Sequence, residues 1–401
     1  MPVQLVPQRI RGFISVSAHP IGCATNVERE IEIATQRAPG KGWRDILVAG
    51  ASTGYGLSSL VSGVFGYGAR GFGVCLERPP VRDKTASAGW YNLAALERLA
   101  AARGKSVSIV NGDAFSDETK AATIARLKAA GAKLDCFVYS LATARRTDPK
   151  TGVTYVSALK PRGKAFRSKT INLTNDQLVD LEIPPANDEE IEATRRVMGG
   201  EDFALWTNAL LEAGLLAEGC RAVAYSYVGP KLNDPIYRAG TIGAAKQDLE
   251  VTTKALSATL NAKLGGAAYV SVNKALVTQA SAVIPMVPLY ISLLFKVMKE
   301  SGRHEGTAEQ IERMFRDHLG PGVTPTLDAE GRIRIDDLEM APAVQDRVAA
   351  LWPQVTTENL FEVTDYAGFK QDFYRFFGYD VPGVDYTLPV ETDVPIESVG
   401  R

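Results

Sequence analysis

Two tyrosine–lysine pairs in the second half of the chain have side chains that could pass a proton to a substrate beside a bound cofactor. Three residues separate Tyr227 from Lys231, and eight separate Tyr237 from Lys246. A free phenol has a pKa near 10, and a neighbouring ammonium group lowers that pKa and eases proton donation near neutral pH. Both pairs are therefore candidate acids for a reduction.

The first pair has the spacing that places two side chains on one helix face. However, Gly229-Pro230 lies between Tyr227 and Lys231. Proline removes a backbone donor and glycine weakens a helix, so a helix is not expected here. We interpret this match as accidental.

The second pair requires a different local structure. Nine steps along a helix turn through about 900°, which would place Tyr237 and Lys246 on opposite faces. The two side chains converge only if Tyr237 lies on a loop before the helix. Thr241 is a suitable N-cap and Gly243–Leu260 is compatible with a helix, which favours that arrangement. Spacing alone leaves the role of this pair open.

A glycine-rich segment in the first half, Gly50–Gly56, has the pattern GxxxGxG. It follows a strand-like apolar run and precedes a helix-like run. Glycines at such a turn let backbone N–H groups approach a pyrophosphate at a helix N-terminus. We predict dinucleotide binding here, with a purely structural turn as the alternative. The segment contains no GKS or GKT, which excludes a P-loop.

Residues at the ends of later strands are further candidates for cofactor contacts. Glu77 could hydrogen-bond the adenosine ribose and repel a 2′-phosphate, which predicts NADH over NADPH. It could instead be an exposed strand-end charge, and Arg78 beside it could accept the phosphate. Asp113 could contact the adenine or only form a turn. Ser140-Leu141-Ala142 ends a strand at the same carboxyl edge, where ligands bind in such sheets.

These candidates follow short, continuously apolar runs that alternate with helix-like segments, as in a doubly wound parallel sheet. The predicted strands are Asp45–Gly50, Phe72–Glu77, Ser106–Val110, Leu134–Ser140, Arg221–Val228 and Ala267–Asn273. The predicted helices between them are Leu57–Arg70, Trp90–Ala102 and Glu118–Ala130. The pattern predicts an α/β fold of the Rossmann type.

The remaining segments are predicted to decorate one Rossmann-type domain over residues 1–401, because no low-complexity linker divides the chain. Its parts are a leader (1–42), a nucleotide-binding half (43–141), a polar insertion (142–187), a catalytic half (188–302) and a C-terminal extension (303–401). We expect the extension to be helical over Ala308–His318 and then Pro-rich to its end.

Composition restricts the function classes. The chain has 45 Lys and Arg against 46 Asp and Glu, and this balance argues against whole-protein electrostatic binding to nucleic acid or an anionic membrane surface. The longest apolar stretch, Ala282–Phe295, is too short to span a bilayer. The four cysteines should be buried reduced thiols, the three histidines lack metal-ligand spacing, and the N-terminus lacks a signal-peptide pattern. We predict a cytoplasmic protein with no metal and no membrane or nucleic-acid partner.

Together these segments resemble FabV-type trans-2-enoyl reductases, of the short-chain dehydrogenase/reductase superfamily, over nearly the whole chain. The similar stretches are RGFISVSAHPIGCATNVEREI, GASTGYG, YSLA, AYSYVGPKLNDPIYRAGTIGAAKQDLE and SVNKALVTQASAVIPMVPLY. A Y-x8-K pair is the mark of that family. The resemblance implies a Rossmann-type reductase that uses NADH to reduce the trans-2 double bond of enoyl thioesters of acyl-carrier protein or coenzyme A.

The resemblance also implies a role for each site residue. Tyr237 would donate the proton, Lys246 would hold the cofactor ribose, and Tyr227 would contact the substrate as a second donor. The residues implied to line the cofactor are Gly50, Ala51, Ser52, Thr53, Gly54, Tyr55, Leu76, Glu77, Asp113, Ala114, Leu141, Ala142, Lys246, Ala275, Leu276 and Val277. The extension has no flavin fingerprint, so FAD is not expected. The added segments favour a monomer, because they could cover helix faces that smaller relatives bury between subunits.

Two segments and two other functions stay open from the residues alone. The basic stretch Lys160–Lys169 could meet a phosphopantetheine group or an acidic carrier protein, or be a solvated loop. Ile284–Leu294 could line the acyl chain or be a core helix. A carbonyl reductase on the same fold would use Tyr227 and Lys231. A dinucleotide-sensing protein would need only the glycine loop.

Overall fold

Seven parallel strands form the central sheet in the computed structural model, which describes residues 3–11, 14–36, 42–82, 84–278, 281 and 284–400. In chain order the strands are β1 (Asp45–Ala49), β2 (Arg70–Cys75), β3 (Val107–Asn111), β4 (Leu134–Tyr139), β5 (Leu216–Ser226), β6 (Ala267–Val272) and β7 (Ile333–Arg334). They are arranged in the order β7-β6-β5-β4-β1-β2-β3. This order reverses direction beside β1, which is where doubly wound sheets bind dinucleotides.

Helices cover both faces of the sheet. The described α-helices are α1 (Pro20–Gln36), α2 (Gly54–Val61), α3 (Ala88–Ala102), α4 (Asp117–Ala129), α5 (Asp188–Met198), α6 (Glu201–Glu212), α7 (Thr241–Leu264), α8 (Val287–Glu300), α9 (Thr307–Met314), α10 (Pro342–Leu351), α11 (Leu360–Val363) and α12 (Tyr366–Phe376). Short π-helices at Ser62–Gly66 and Phe315–Leu319 continue α2 and α9, and 3₁₀ turns lie at Lys231–Asn233 and Trp352–Gln354.

Burial of the strands on both faces explains their continuous apolar sequences. All five residues of β1 are buried, and side chains from the two faces enter different core clusters, as Ile46 and Leu47 do. A sheet that is covered on both sides selects apolar residues at every position. The predicted α/β fold of the Rossmann type is confirmed.

The boundary between α2 and β2 differs from the prediction. The helix was expected to continue to Arg70, but the helical segment ends with the π-helix Ser62–Gly66 and Arg70 already begins the strand. Glycines near the start of β2 interrupt its apolar pattern, so the first residues of the strand were not recognised. A Cβ atom at Gly71 would lie 2.6 Å from Val64 Cγ2, so the close approach of helix and strand requires glycine there.

The leader contributes to the core. Helix α1 is amphipathic, and Cys23, Val27 and Ile31 on its inner face are buried in the largest hydrophobic cluster. The short strand Val3–Gln4 pairs antiparallel with Val390–Glu391 near the other end of the chain. A second pair, Ile10–Arg11 with Ile14–Ser15, precedes α1.

The insertion forms two antiparallel hairpins. Arg145–Thr147 pairs with Thr154–Val156, and Phe166–Asn172 pairs with Gln177–Ile183. Helix α5 follows with a complete capping box, in which the Asn187 side chain accepts from the Glu190 amide and the Glu190 side chain accepts from the Asn187 amide.

The C-terminal extension contains more structure than the sequence predicts. Helix α9 and its π-helical continuation lie close to the predicted Ala308–His318, but α10, α11 and α12 were not predicted. The extension also supplies β7, whose Ile333 and Arg334 pair in parallel register with Ser271 and Val272 of β6. A strand of two residues beside arginines gives no periodic signal, which explains why it was missed.

Cys23, Cys75, Cys136 and Cys220 are buried and free, as predicted. Across the described ranges, none of the helices combines the length and apolar character that a membrane span requires. Those ranges also contain no group of three or more His, Cys, Asp or Glu side chains arranged to hold a metal ion.

Candidate active site

The glycine turn after β1 is tightly constrained. Gly50 has a φ of +86° and Gly54 a φ of +54°, a backbone region that favours glycine. A Cβ atom at Gly56 would lie 1.8 Å from the carbonyl oxygen of Gly50. The turn from β1 into α2 therefore depends on these glycines at their exact spacing.

The N-terminus of α2 has amide groups available for an anion. Thr53 is the N-cap, but its side chain makes no capping hydrogen bond. The first amides of a helix have no partners within the helix, and the helix dipole favours negative charge there. The turn thus has the features of a pyrophosphate site, with Ala51 buried beneath it and Ser52 nearly so.

The end of β2 places an acidic and an apolar side chain beside this turn. Glu77 Oε1 accepts a 2.6 Å hydrogen bond from the Ser52 hydroxyl, and the Glu77 amide donates to Asn111 Oδ1 at 2.8 Å. Leu76 is 71% exposed, which is unusual for a leucine next to a buried strand. The predicted contacts of Glu77 and Leu76 with an adenosine remain predictions.

The segment after β3 also reaches this edge of the sheet. Asp113 is exposed, and its Oδ1 accepts from the Phe115 amide at 3.0 Å, which is the geometry of a turn-forming aspartate. Ala114 is buried, and its carbonyl accepts from Trp206 Nε1 at 2.9 Å and from Lys120 Nζ at 3.1 Å.

Segments after β4 and β6 complete this edge. Leu141 is half-buried and lies against Gly50, and Ala142 is exposed. After β6, Ala275 and Leu276 are buried and Val277 is half-buried. The residues implied to line the cofactor thus follow the carboxyl ends of neighbouring strands. Their contacts with a cofactor remain predictions.

Tyr237 lies in the turn before α7, as predicted, and Lys246 lies in the second turn of that helix. The predicted cap was wrong by one residue. Gly240 is the N-cap, and Thr241 is the first helical residue because its hydroxyl donates to the Ala158 carbonyl instead.

Burial controls the electrostatics of this pair. The expected lowering of the tyrosine pKa is not seen, because burial, with a contribution from Glu339, raises the pKa of Tyr237. Tyr237 is 6% exposed, and its hydroxyl makes no hydrogen bond to any residue that the structure describes. Burial lowers the pKa of Lys246 to about 8, against an opposing effect of Glu250. Tyr237 is therefore a neutral phenol that retains its proton at neutral pH.

Tyr227 and Lys231 do not share a helix. Gly229 has a φ of +76°, and Lys231 is an exposed residue that begins a 3₁₀ turn. The Y-x3-K match therefore has no helical basis, in agreement with the prediction. Tyr227 nevertheless lies in the site, because its ring packs edge-on against Tyr237 with 5.0 Å between the centroids.

A buried carboxyl group that the sequence analysis missed holds Tyr227. The Tyr227 hydroxyl donates to Glu339 Oε1 at 3.0 Å, and Tyr290 donates to the same oxygen at 2.7 Å. The Ala275 amide donates to Glu339 Oε2 at 2.7 Å. Glu339 follows β7, and because that strand was not predicted, no sequence pattern placed this residue at the site.

A second missed residue, Lys274, is 2% exposed. Its carbonyl accepts from the Tyr55 hydroxyl at 2.8 Å, and its amide donates to Gln310 Oε1 at 3.1 Å. Tyr55 also donates to Gln310 Oε1 at 3.0 Å. The phosphate turn is thereby connected to the segment after β6.

The basic stretch Lys160–Lys169 is largely paired within the protein. Lys160 binds Glu190 at 2.5 Å, Arg167 pairs with Glu182, and Lys169 Nζ donates to the Val355 carbonyl at 2.8 Å. Arg162, Lys164 and Arg167 are exposed. The apolar segment Ile284–Leu294 mostly forms the first part of α8, in which every residue from Val287 to Phe295 is buried.

Comparison with protein families finds three models that match consecutive parts of the chain. The NAD(P)H binding domain of trans-2-enoyl-CoA reductase matches residues 5–82, and the trans-2-enoyl-CoA reductase catalytic region matches residues 84–319. A model named the enoyl reductase FAD binding domain matches residues 327–390.

Individual proteins match over almost the full length. An enoyl-[acyl-carrier-protein] reductase [NADH] from Flavobacterium johnsoniae is 50% identical, over 98% of this chain and 100% of its own. The solved trans-2-enoyl-CoA reductase of Treponema denticola, in complex with NAD, is 46% identical with a TM-score of 0.92, covering 97% of this chain and 99% of its own. That of Clostridium acetobutulicum, with NADH, is 40% identical with a TM-score of 0.93, covering 98% and 99%.

Residues 327–390 do not fit a flavin, despite the name of the third model. Helices α10, α11 and α12 follow Ala341, Asn359 and Asp365, so no glycine-rich phosphate turn leads into any of them. Their inner side chains pack in one cluster with α8, as Val344, Leu360 and Phe369 do. These helices form a layer that packs against α8.

Proposed function

We propose that Tyr237 and Lys246 carry out the NADH-dependent reduction of enoyl thioesters in this chain. The chain belongs to the trans-2-enoyl-CoA reductase family. The reaction converts the trans-2 double bond of an enoyl thioester of acyl-carrier protein or coenzyme A into a saturated bond, as the names of its relatives indicate. This is the final reductive step of fatty-acid elongation.

We assign the cofactor to the carboxyl edge of the sheet around β1. The turn Gly50–Tyr55 would hold the pyrophosphate, and Leu76 with Glu77 would hold the adenosine. Asp113–Ala114 would lie at the adenine, and Leu141–Ala142 with Ala275–Val277 at the nicotinamide side. When bound, NADH supplies the hydride that reduces the double bond. The support for this assignment is the glycine turn and the hydrogen bond from its Ser52 hydroxyl to Glu77 after β2.

We assign the proton to Tyr237. A single observation carries this role: the phenol is buried, keeps its proton, and has a hydroxyl without a hydrogen-bond partner among the described residues. Negative charge that develops on the thioester oxygen needs a preorganised donor, and such donors contribute strongly in a dry site. Tyr227 would form the wall of the substrate site, since its own proton is directed at Glu339.

We assign Lys246 to the nicotinamide ribose. Its ammonium group is in the second turn of α7 and makes no hydrogen bond within the described part of the chain. A partly buried cation without a hydrogen-bond partner is available for a ligand's hydroxyl groups. Lys246 would thus orient the cofactor, whereas Tyr237 would act on the substrate.

Four variants test these roles, assayed by NADH oxidation with crotonyl-CoA, by NADH titration and by circular dichroism. Tyr237→Phe removes one hydroxyl and should lower kcat by roughly 10²- to 10³-fold while NADH binding and the fold stay intact. Lys246→Ala should weaken NADH binding and turnover together. Tyr227→Phe should have an intermediate effect through substrate alignment.

Lys231→Ala is the matched control, because Lys231 is exposed and follows the non-helical Gly229-Pro230 segment. It should leave all three measurements close to wild type. If Lys231→Ala abolishes turnover while Lys246→Ala remains active, the assignment is wrong. Activity with simple ketones in place of crotonyl-CoA would then favour a carbonyl reductase.

A further inference from the structure

Glu339 is a carboxyl group of the C-terminal extension that reaches the centre of the site. It follows β7 and has no exposed surface. Both of its oxygens are hydrogen-bonded, Oε1 to the hydroxyls of Tyr227 and Tyr290, and Oε2 to the amide of Ala275. A buried carboxyl with three donors is fixed in position and orientation.

The two oxygens of Glu339 contact opposite sides of the proposed site. Tyr227, on Oε1, has its ring against that of Tyr237, on the substrate side. Ala275, on Oε2, begins the segment that would line the nicotinamide. One side chain therefore connects the wall of the substrate site with the wall of the cofactor site.

Burial raises the pKa of Glu339, and the charge of Lys274 and the hydrogen bonds from Tyr290 and Ala275 oppose that rise. Lys274 is itself 2% exposed. Gln345 donates to the Tyr290 hydroxyl at 3.1 Å and to the Glu339 carbonyl at 2.7 Å. Such an arrangement is costly to bury and contributes little to stability compared with apolar packing. Its placement points to a role in the reaction.

We propose that Glu339 is a positioning residue of the reductase site, which holds Tyr227 with one oxygen and Ala275 with the other and so fixes the substrate relative to the cofactor. This inference rests on the proposed function. Glu339 acts through its two partners and does not touch the reacting atoms.

The physical basis is the sensitivity of bond-making steps to distance. A displacement of about 1 Å between reacting groups can lower a rate by about 10²-fold, even when each group still binds. Loss of the connection through Glu339 should therefore reduce the rate of hydride transfer more than it reduces the affinity for either ligand.

Glu339→Gln tests this, because an amide has the same shape but one acceptor oxygen in place of two. It cannot accept from Tyr227 and Tyr290 on one side and from Ala275 on the other. We expect kcat with crotonyl-CoA to fall about 10²-fold, while the KM for crotonyl-CoA and the Kd for NADH change by less than about threefold. The kinetic isotope effect with NADH deuterated at the transferred position should rise, because hydride transfer becomes slower than the other steps.

Asp336→Asn is the matched control for loss of a buried carboxylate in the same loop. Asp336 has no exposed surface, and Arg334 binds both of its oxygens at 2.7 Å. This variant should lose thermal stability but retain the wild-type isotope effect. An equal fall in kcat in both variants, or a lower kcat in Glu339→Gln with an unchanged isotope effect, would overturn the proposal.

Glu339→Asp covers the possibility that the glutamine variant does not fold. It keeps the carboxyl group but withdraws the oxygens by one methylene group, so kcat should fall and the isotope effect should again rise. Wild-type kinetics in this variant would refute the positioning role. Tyr237→Phe, measured in parallel, separates the two proposals. If Tyr237→Phe remains fully active, the assigned site is wrong. If Tyr237→Phe is inactive and Glu339→Asp is unaffected, only the role of Glu339 is rejected.

Discussion

Burial determines the charge of the lysine that we place at the cofactor ribose. The pKa of Lys246 is lowered to about 8, so its ammonium group loses its proton as the pH rises through that value. Only the charged form donates three hydrogen bonds. We expect the Kd for NADH to be constant at lower pH and to rise above about pH 8, by up to tenfold per pH unit. Fluorescence titration across this range measures the effect.

Lys246→Arg is the control for this pH dependence. An arginine stays charged throughout the range, although its planar group will not reproduce the geometry of an ammonium. The variant should bind NADH more weakly than wild type at neutral pH but with a flat pH profile. A rise in Kd above about pH 8 that persists in Lys246→Arg would assign the titration to another group.

The preference for NADH is predicted to depend on Glu77. Its carboxylate lies at the end of β2 and accepts from the Ser52 hydroxyl at 2.6 Å, which fixes it beside the phosphate turn. A 2′-phosphate would meet this negative charge. Glu77→Ala and the isosteric Glu77→Gln should both narrow the NADH/NADPH ratio of kcat/KM by about tenfold, equivalent to about 1.4 kcal/mol. An unchanged ratio in Glu77→Gln would show that charge is not the cause.

At the residue scale, the sequence indicates the local features of the site but not its long-range contacts. Pro235 and Gly240 indicate a turn at Tyr237, and Gly229-Pro230 exclude a helix at Tyr227. Glu339, in contrast, meets Tyr227 across 112 positions of sequence. Such a contact depends on β7 joining the edge of the sheet, and no local pattern predicts it.

At the element scale, the turn from β1 into α2 contains two glycines that are required for different reasons. Gly54 has a positive φ but open space around it, with the nearest atom 3.7 Å from its Cβ position. Gly56 has an ordinary φ but a Cβ position 1.8 Å from the Gly50 carbonyl oxygen. Gly54→Ala should therefore cost about 1–2 kcal/mol of backbone strain, whereas Gly56→Ala should cost about 3 kcal/mol or more because the backbone must move.

Thermal unfolding and NADH titration of these two variants test this difference. Gly56→Ala should show the larger fall in Tm and the weaker NADH binding, since the displaced turn can no longer present its amides. Equal Tm values for the two variants would mean that the close approach of Gly56 to the Gly50 carbonyl is not essential.

Which elements can be predicted depends on how they are buried. Strands β1 to β6 have continuous apolar runs because helices cover both faces of the sheet, and this pattern identifies them. Helices α10 and α12 pack on α8 with one face only, and Pro342 and the surrounding polar residues resemble a loop. β7 is only two residues long. Helices α10 and α12 and strand β7 are defined by their packing against other elements, and no local sequence pattern indicates that packing.

At the scale of the whole molecule, we propose that residues 1–401 act as one domain. The short strand Val3–Gln4 pairs with Val390–Glu391, so the two ends of the chain stabilise each other. Near the C-terminus, the Ser398 carbonyl accepts a hydrogen bond from Arg126 of α4 at 2.9 Å, and Ile396 is fully buried. The leader and the extension therefore belong to the same packed unit as the sheet.

Helix α5, which follows the insertion, and the C-terminal extension also cover helices that a bare Rossmann sheet would leave open. Arg195 of α5 pairs with Asp248 of α7 at 3.0 Å. On α3, Trp90 Nε1 donates to the Val394 carbonyl at 2.8 Å, and Tyr91 donates to the Thr392 carbonyl at the same distance. Helix faces that are covered within one chain are not available to a second subunit.

We therefore predict that the protein is a monomer. Light scattering should give the mass of one chain, 43.2 kDa, at all concentrations over about a hundredfold range. A variant truncated after Pro389 should associate and unfold at lower temperature, because it lacks the segment that covers Trp90 and Tyr91. A stable dimer or tetramer of the intact chain, independent of concentration, would contradict the prediction. It would also mean that the surface on which the subunits meet lies outside the helix faces that α5 and the C-terminal segment cover.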